Sequence, residues 1–244
     1  MADKFGWVKD PSMREKVFEE YQRIREATKS KYVSEARAEM FLKIDLPRVA
    51  RSIGIGVSTE KKTGKQVIEL DNNQQTEILF DYAMMFDVGE GRPLRYEFIK
   101  RYGQSEEESL RIAAEIYSDY KYAWLVPIRS KSNFGVHCRD LLSGKDFFLL
   151  DRGMSNTFTK DSSVGLATGI HPFGDPSLGC VMTGGAAIPL PLDGIEAMLK
   201  DVLSGLKIDK HPPMSLDEGE EARFVAAFVK AAIQSGLSEL IRYE

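Results

Sequence analysis

The stretch FGVHCRDLLSGKDFFLLD, residues 134–151, decides the reading of the fold. Phe134, Val136 and Cys138 recur with a period of two, the spacing of a half-buried strand. Ser143-Gly144 supplies turn chemistry, and Lys145 to Asp151 returns as a second, apolar strand. Working outward, the same signals place strands at residues 122–128, 133–139, 145–150, 164–171 and 178–183, with Gly184-Gly185, Pro189 and Pro191 closing the region. Short strands in this number leave edges that closure or helix packing must protect. The expected class is therefore α+β: a helical frame around a small five-stranded antiparallel sheet or SH3-like barrel.

Helical patterning surrounds this region. Met13, Val17, Tyr21 and Ile24 share one face of a segment that starts at Asp10-Pro11, a cap followed by a first-turn proline. Further helices are expected at residues 34–44, after Pro47 to near Gly54, and at 75–86. Between them, residues 58–65 read as an exposed loop or hairpin tip. Ser105-Glu106-Glu107-Glu108 and Ser215-Leu216-Asp217-Glu218 both match a capping box. Ile195, Met198, Leu199, Val202, Leu203 and Leu206 form the strongest apolar stripe. The organisation expected is a mainly helical 1–120, a β region 121–191 and helices 192–244, packed as one unit.

The 244 residues carry a formal charge of −4, unevenly spread: residues 1–65 hold +5 and the remainder −9. No dense basic run interleaved with aromatics accompanies that bias, so nucleic-acid contact through it should be weak and salt-sensitive. The N-terminus has charges throughout and no apolar core of a signal, and no window reaches the length of a membrane span. Cys138 and Cys180 are the two cysteines. Without a secretory signal they read as buried, reduced thiols of a cytoplasmic protein.

Cys138-Arg139-Asp140-Leu141-Leu142-Ser143-Gly144-Lys145 resembles an LRDLLTGE-like hairpin found in a group of uncharacterised bacterial proteins. Asp151-Arg152-Gly153-Met154-Ser155 and Val181-Met182-Thr183-Gly184-Gly185 fall where those proteins carry a serine-containing turn and a glycine-rich strand. The similarity spans residues 80–191 and implies the fold, with no activity attached. Some members of that group carry a cysteine-rich, zinc-binding SEC-C tail. This chain has none, so the resemblance implies no zinc.

Candidate chemistry is sparse. His137, Cys138, His171 and Cys180 are zinc-ligand types, but neighbours on a strand point to opposite faces, and no CxxC or HxH spacing occurs. No metal and no cofactor is expected. A hydrolytic arrangement would join Cys180 or a serine to His171 and an acid, Asp175 or Asp140, yet no G-x-S-x-G elbow marks a nucleophile. Val49 to Ile55 imitates the turn of a helix-turn-helix, but the following positions, Glu60 and Thr63, offer no apolar face. Gly54-Ile55-Gly56 and Gly89-Glu90-Gly91 lack phosphate-loop spacing. The expectation is a non-enzymatic, cytoplasmic, non-membrane protein that binds a protein or nucleic-acid partner. The alternative is a hydrolase whose site surrounds the 171–175 loop, with His171, Asp175 and Cys180 as its candidate residues.

Overall fold

Asp10 starts the first helix by accepting the Ser12 N–H at 3.0 Å, with Pro11 in the first turn where its missing N–H is harmless. The computed structural model describes residues 10–86, 91–131, 134–160, 164–174, 179–208 and 212–235. In order, these form α1 (Pro11–Thr28), α2 (Lys31–Phe41), α3 (Leu46–Ser52), β1 (Gly56–Thr59), β2 (Gln66–Glu69), α4 (Asn73–Met85), α5 (Leu94–Tyr102) and α6 (Glu108–Asp119). There follow β3 (Lys121–Lys131), β4 (Gly135–Asp140), β5 (Asp146–Leu150), α7 (Arg152–Lys160), β6 (Val164–Pro172), β7 (Cys180–Pro191), α8 (Leu192–Gly205) and α9 (Glu218–Gln234). The α+β class is present. After Ile55 the chain enters β1 rather than a second helix, so the helix-turn-helix imitation ends there.

The five long-range strands pair in the order β3-β4-β5-β7-β6, and β6 pairs back to β3, so the ring of pairings closes. The sheet is mixed, which corrects the antiparallel expectation. β5 and β7 run parallel through two residue pairs, Phe148↔Cys180 and Leu149↔Val181. Parallel neighbours need a crossover rather than a hairpin, and α7 with β6 supplies it. Alternation sorts the side chains. Ala123, Leu125, Val136, Cys138, Leu149, Leu166, Ile170 and Val181 fill the inside, joined by Met154 from α7. Phe148, Leu150, Cys180 and Met182 point outward against Tyr21 of α1. Trp124, Ala167, Ile188 and Leu190 face a larger core shared with α2 to α6, α8 and α9.

One turn is built twice. In Asp140-Leu141-Leu142-Ser143-Gly144-Lys145, the Asp140 N–H donates to Lys145 O and the Gly144 N–H to Asp140 O, both at 2.9 Å. In Glu60-Lys61-Lys62-Thr63-Gly64-Lys65, the equivalent bonds measure 2.8 and 2.9 Å. Ser143 and Thr63 each donate a hydroxyl to the opening carboxylate and accept the following Lys N–H. Gly144 and Gly64 have φ of +67° and +69°, a left-handed conformation that disfavours a side chain. The two copies differ in setting. Asp140 also accepts the Trp124 N–H at 2.9 Å, and Leu142 O accepts the Met214 N–H at 2.8 Å, so the second turn is stitched into the body.

Other differences from the sequence expectation have local causes. α5 follows Pro93 without a side-chain cap, so nothing polar announces it. α7 contains Gly153, Ser155 and Asn156, poor helix formers that read as a turn, but Asp151 accepts the Met154 N–H at 3.0 Å and starts the helix. The capping box of α9 belongs to Asp217 and Glu220, not Ser215: Asp217 accepts the Glu220 N–H at 2.7 Å and the Glu220 carboxylate accepts the Asp217 N–H at 3.0 Å. α6 is likewise capped by Glu107 rather than Ser105. β7 runs through Gly184-Gly185 to Pro191 instead of stopping. Its second half pairs with β6 alone, where prolines forfeit no ladder bond to another strand.

The repeated turn gives a paired test. Gly144→Val adds left-handed strain and also a Cβ 3.0 Å from Pro213 Cβ, whereas a Cβ at Gly64 meets nothing within 4 Å. Gly144→Val should therefore lower stability by about 1–3 kcal/mol, and Gly64→Val by less. Urea midpoints at matched slope read the difference. Equal losses would mean that the docked setting of the 140–145 turn adds nothing to strain at its glycine.

Candidate functional site

A group of charged side chains lines a concavity where α1, α2, α4 and α6 meet β7. Helical spacing delivers them: Arg25, Thr28 and Lys29 share one face of the end of α1, and Glu77, Phe80 and Asp81 share one face of α4. α2 adds Arg37, α6 adds Ile116 and Tyr117, β6 adds His171, and β7 adds residues 182–186. The volume of this open cavity is ≈360 Å³, within the range of small-molecule sites.

Its floor is a β-bulge. Thr168 pairs with Ala187 and Ile170 with Thr183, so Gly169 alone opposes Gly184, Gly185 and Ala186. The bulge presents the Ala186 N–H to Oδ2 of Asp81, which accepts it. Gly185 is needed for that approach, because a Cβ there would stand 2.7 Å from the same oxygen. Oδ1 of Asp81 accepts from Arg37 Nη2 at 2.9 Å. Burial raises the Asp81 carboxyl above its usual range, against the pull of Arg37 and the Ala186 N–H. The pair is mostly enclosed, with side-chain exposure of 26% for Arg37 and 16% for Asp81.

Arg37 is held by one prong. An arginine–carboxylate fork commonly makes two parallel bonds, but here the second carboxylate oxygen serves the bulge. Nε of Arg37 is buried without a partner, and Nη1 hydrogen-bonds to no described residue while the side chain keeps access to the cavity. The guanidinium lies over the Tyr117 ring, 6.0 Å from its centroid. Lys29 and Glu77, both exposed at the cavity wall, form no ion pair among the described residues. Arg25, in contrast, donates to Tyr21 Oη at 2.7 Å and stands 3.9 Å from Asp151, which also accepts the Thr183 hydroxyl at 2.9 Å.

The residues singled out from sequence are distributed differently. His171 lies in this cavity wall, only 4% exposed, with Nδ1 3.0 Å from Pro172 O. It also borders a second cavity of ≈640 Å³ beside Asp119, Tyr122 and Glu221, which Cys180 lines too. No hydrogen bond joins His171 to Cys180. Burial pushes both the Cys138 and Cys180 thiols up to about 12, so neither is a thiolate at neutral pH. Asp175 lies outside the described residues. Asp140 is occupied by the N–H groups of Trp124, Leu142 and Ser143 and serves the turn. Cys138 points inside the ring while His137 packs edge-on against Phe148 at 5.0 Å, half-buried rather than facing solvent. Among the described residues, no three His, Cys, Asp or Glu side chains converge as a metal site, and no helix is long and apolar enough to cross a membrane.

Arg37, Asp81, Lys29 and Glu77 carry no sequence motif. The available signal was Gly184-Gly185 inside an apolar run, a mark of a bulge or of close backbone approach. Comparisons with models of known families, with curated proteins and with solved structures find no match to this chain.

Burial lowers the His171 imidazole below its ordinary 6.5, outweighing its backbone contact with Pro172 and the charge of Asp119. The unfolded chain then binds a proton that the folded chain refuses, so stability should fall as pH drops from about 6.5 through the folded value. Urea midpoints from pH 8 to pH 5 should decline more steeply in the wild type than in His171→Phe. Parallel profiles would show that this imidazole is accessible to protons in the folded state.

Proposed function

We propose that the protein is a non-enzymatic binding protein whose site is the cavity between α1, α2, α4, α6 and β7, and whose ligand is a small molecule that presents an anionic group. The carrying observation is Arg37: it lines the cavity, is tethered to Asp81 by a single bond, and makes no other hydrogen bond to a described residue. An arginine kept only for structure would be expected to satisfy its fork; one held in place by a carboxylate and left with a free donor is set to receive an acceptor. Lys29 adds a second cation at the same wall, in no ion pair among the described residues. The Asp81–bulge contact fixes the guanidinium from behind, the preorganisation that reduces the entropy lost on binding.

The hydrolase alternative draws less support. Such a site asks for His171 beside a polar side chain within a pocket, and its ring meets a backbone carbonyl, while Cys180 is a buried thiol. A protein or nucleic-acid partner draws less support, since the +5 balance of residues 1–65 is not gathered into a dense basic run. Cytoplasmic residence belongs to the same proposal, supported by two buried free thiols on opposite faces of the ring wall.

Calorimetry with small carboxylates and inorganic phosphate tests the reading. At least one should bind, and Lys29→Met should weaken it by about tenfold, the loss of one charge-assisted contact of about 1.4 kcal/mol. Lys29 is exposed, so the variant should keep the wild-type urea midpoint. Absence of binding by every anion, or affinity indifferent to Lys29, would overturn the proposal.

A further inference from the structure

We infer that the ligand is a zwitterion of the α-amino-acid type, its carboxylate received by Arg37 and Lys29 and its ammonium by Glu77. The inference rests on the binding site proposed above and names its ligand class. Glu77 shares the cavity with Lys29 and Arg37, yet comes within ion-pair distance of neither. Opposite charges facing one ≈360 Å³ space, with Lys29 and Glu77 in no ion pair among the described residues, are complementary to a molecule that carries both signs. A simple anion would sit on the two cations with an uncompensated carboxylate beside it. A simple cation would meet Lys29 and Arg37. Each is disfavoured by like charge, and the zwitterion alone answers both.

Spacing agrees. Glu77 precedes Asp81 by four residues on α4, about 6 Å along the helix axis at 1.5 Å per residue. Asp81, which holds Arg37, and Glu77 stand on adjacent turns of one face of α4 at the same cavity. A carboxylate and an ammonium on the same carbon, each with a hydrogen bond of about 2.8 Å to the protein, suit partners presented from adjacent turns. Ile24, Phe80, Ile116 and Met182 give the wall an apolar stretch, beside Thr28, Tyr117, His171 and Thr183, that an aliphatic or aromatic side chain can cover.

The test uses the full chain and calorimetric titration with L-leucine and L-phenylalanine. Beside them stand their des-amino acids, 4-methylpentanoate and 3-phenylpropanoate, and their decarboxylated amines, 3-methylbutylamine and 2-phenylethylamine. At least one amino acid should bind about tenfold tighter than either truncated form, a difference of about 1.4 kcal/mol. Glu77→Gln should abolish the preference over the des-amino acid while leaving des-amino-acid affinity unchanged or raised; Lys29→Met should weaken both. Glu77 is exposed, and an unchanged urea midpoint verifies that Glu77→Gln remains folded. If the des-amino acids bind as well as the amino acids, the zwitterion inference fails and the anion site stands. If the amines bind best, or if none of these probes nor inorganic phosphate binds, both fail.

Discussion

The Asp81 carboxylate is the contact through which the helical and β parts share the site. One oxygen accepts the amide of Ala186 from the bulge of β7, and the other accepts Arg37 from α2. A carboxylate on α4 thus joins three elements far apart in sequence. Enclosing it is unfavourable on its own, and the rise in its proton affinity reflects that penalty. The arrangement persists because both oxygens are satisfied and because Gly185 has no side chain to hold α4 away. Removing either partner would strand a largely enclosed charge, the situation in which loss of one member of an ion pair destabilises most.

The fold was legible where its determinants are local. The 134–151 hairpin announces itself through alternation and through Ser143-Gly144, and the structure shows why those two residues matter: the hydroxyl satisfies the carboxylate that opens the turn, and the glycine takes a positive φ. The same chemistry at Thr63-Gly64 closes β1 on β2. The parallel pairing of β5 with β7 was not legible. Two short apolar segments can pair in either direction, and the crossover through α7, itself hidden among weak helix formers, and β6 determines which. Gly184-Gly185 and the prolines that follow read as the end of the sheet, because their local preference does not reveal that this part of β7 needs one neighbour only.

The candidate site was less legible than the fold, for a physical reason. Lys29, Arg37 and Glu77 are ordinary polar positions on amphipathic helices, the kind of residue that most often faces solvent. Nothing in their spacing separates them from Arg23 or Glu35. What distinguishes them is convergence on one concavity, which depends on how four helices pack. His171 and Cys180 attracted notice because histidine and cysteine are rare here and chemically versatile. The structure assigns them burial, and burial shifts each toward its neutral form.

The cavity takes its walls from α1, α2, α4, α6 and His171 of β6 and its floor from β7, so its parts are made in the order residues 24–37, 77–81, 116–117, 171 and 182–186. During synthesis the cationic wall leaves the ribosome first, and the bulge that anchors Asp81 leaves last. Until Ala186 has emerged, the Asp81 carboxylate lacks its amide and β7 cannot close the ring. A nascent or truncated chain lacking β7 therefore lacks the floor of the site that Arg37, Lys29 and Glu77 line in the full chain.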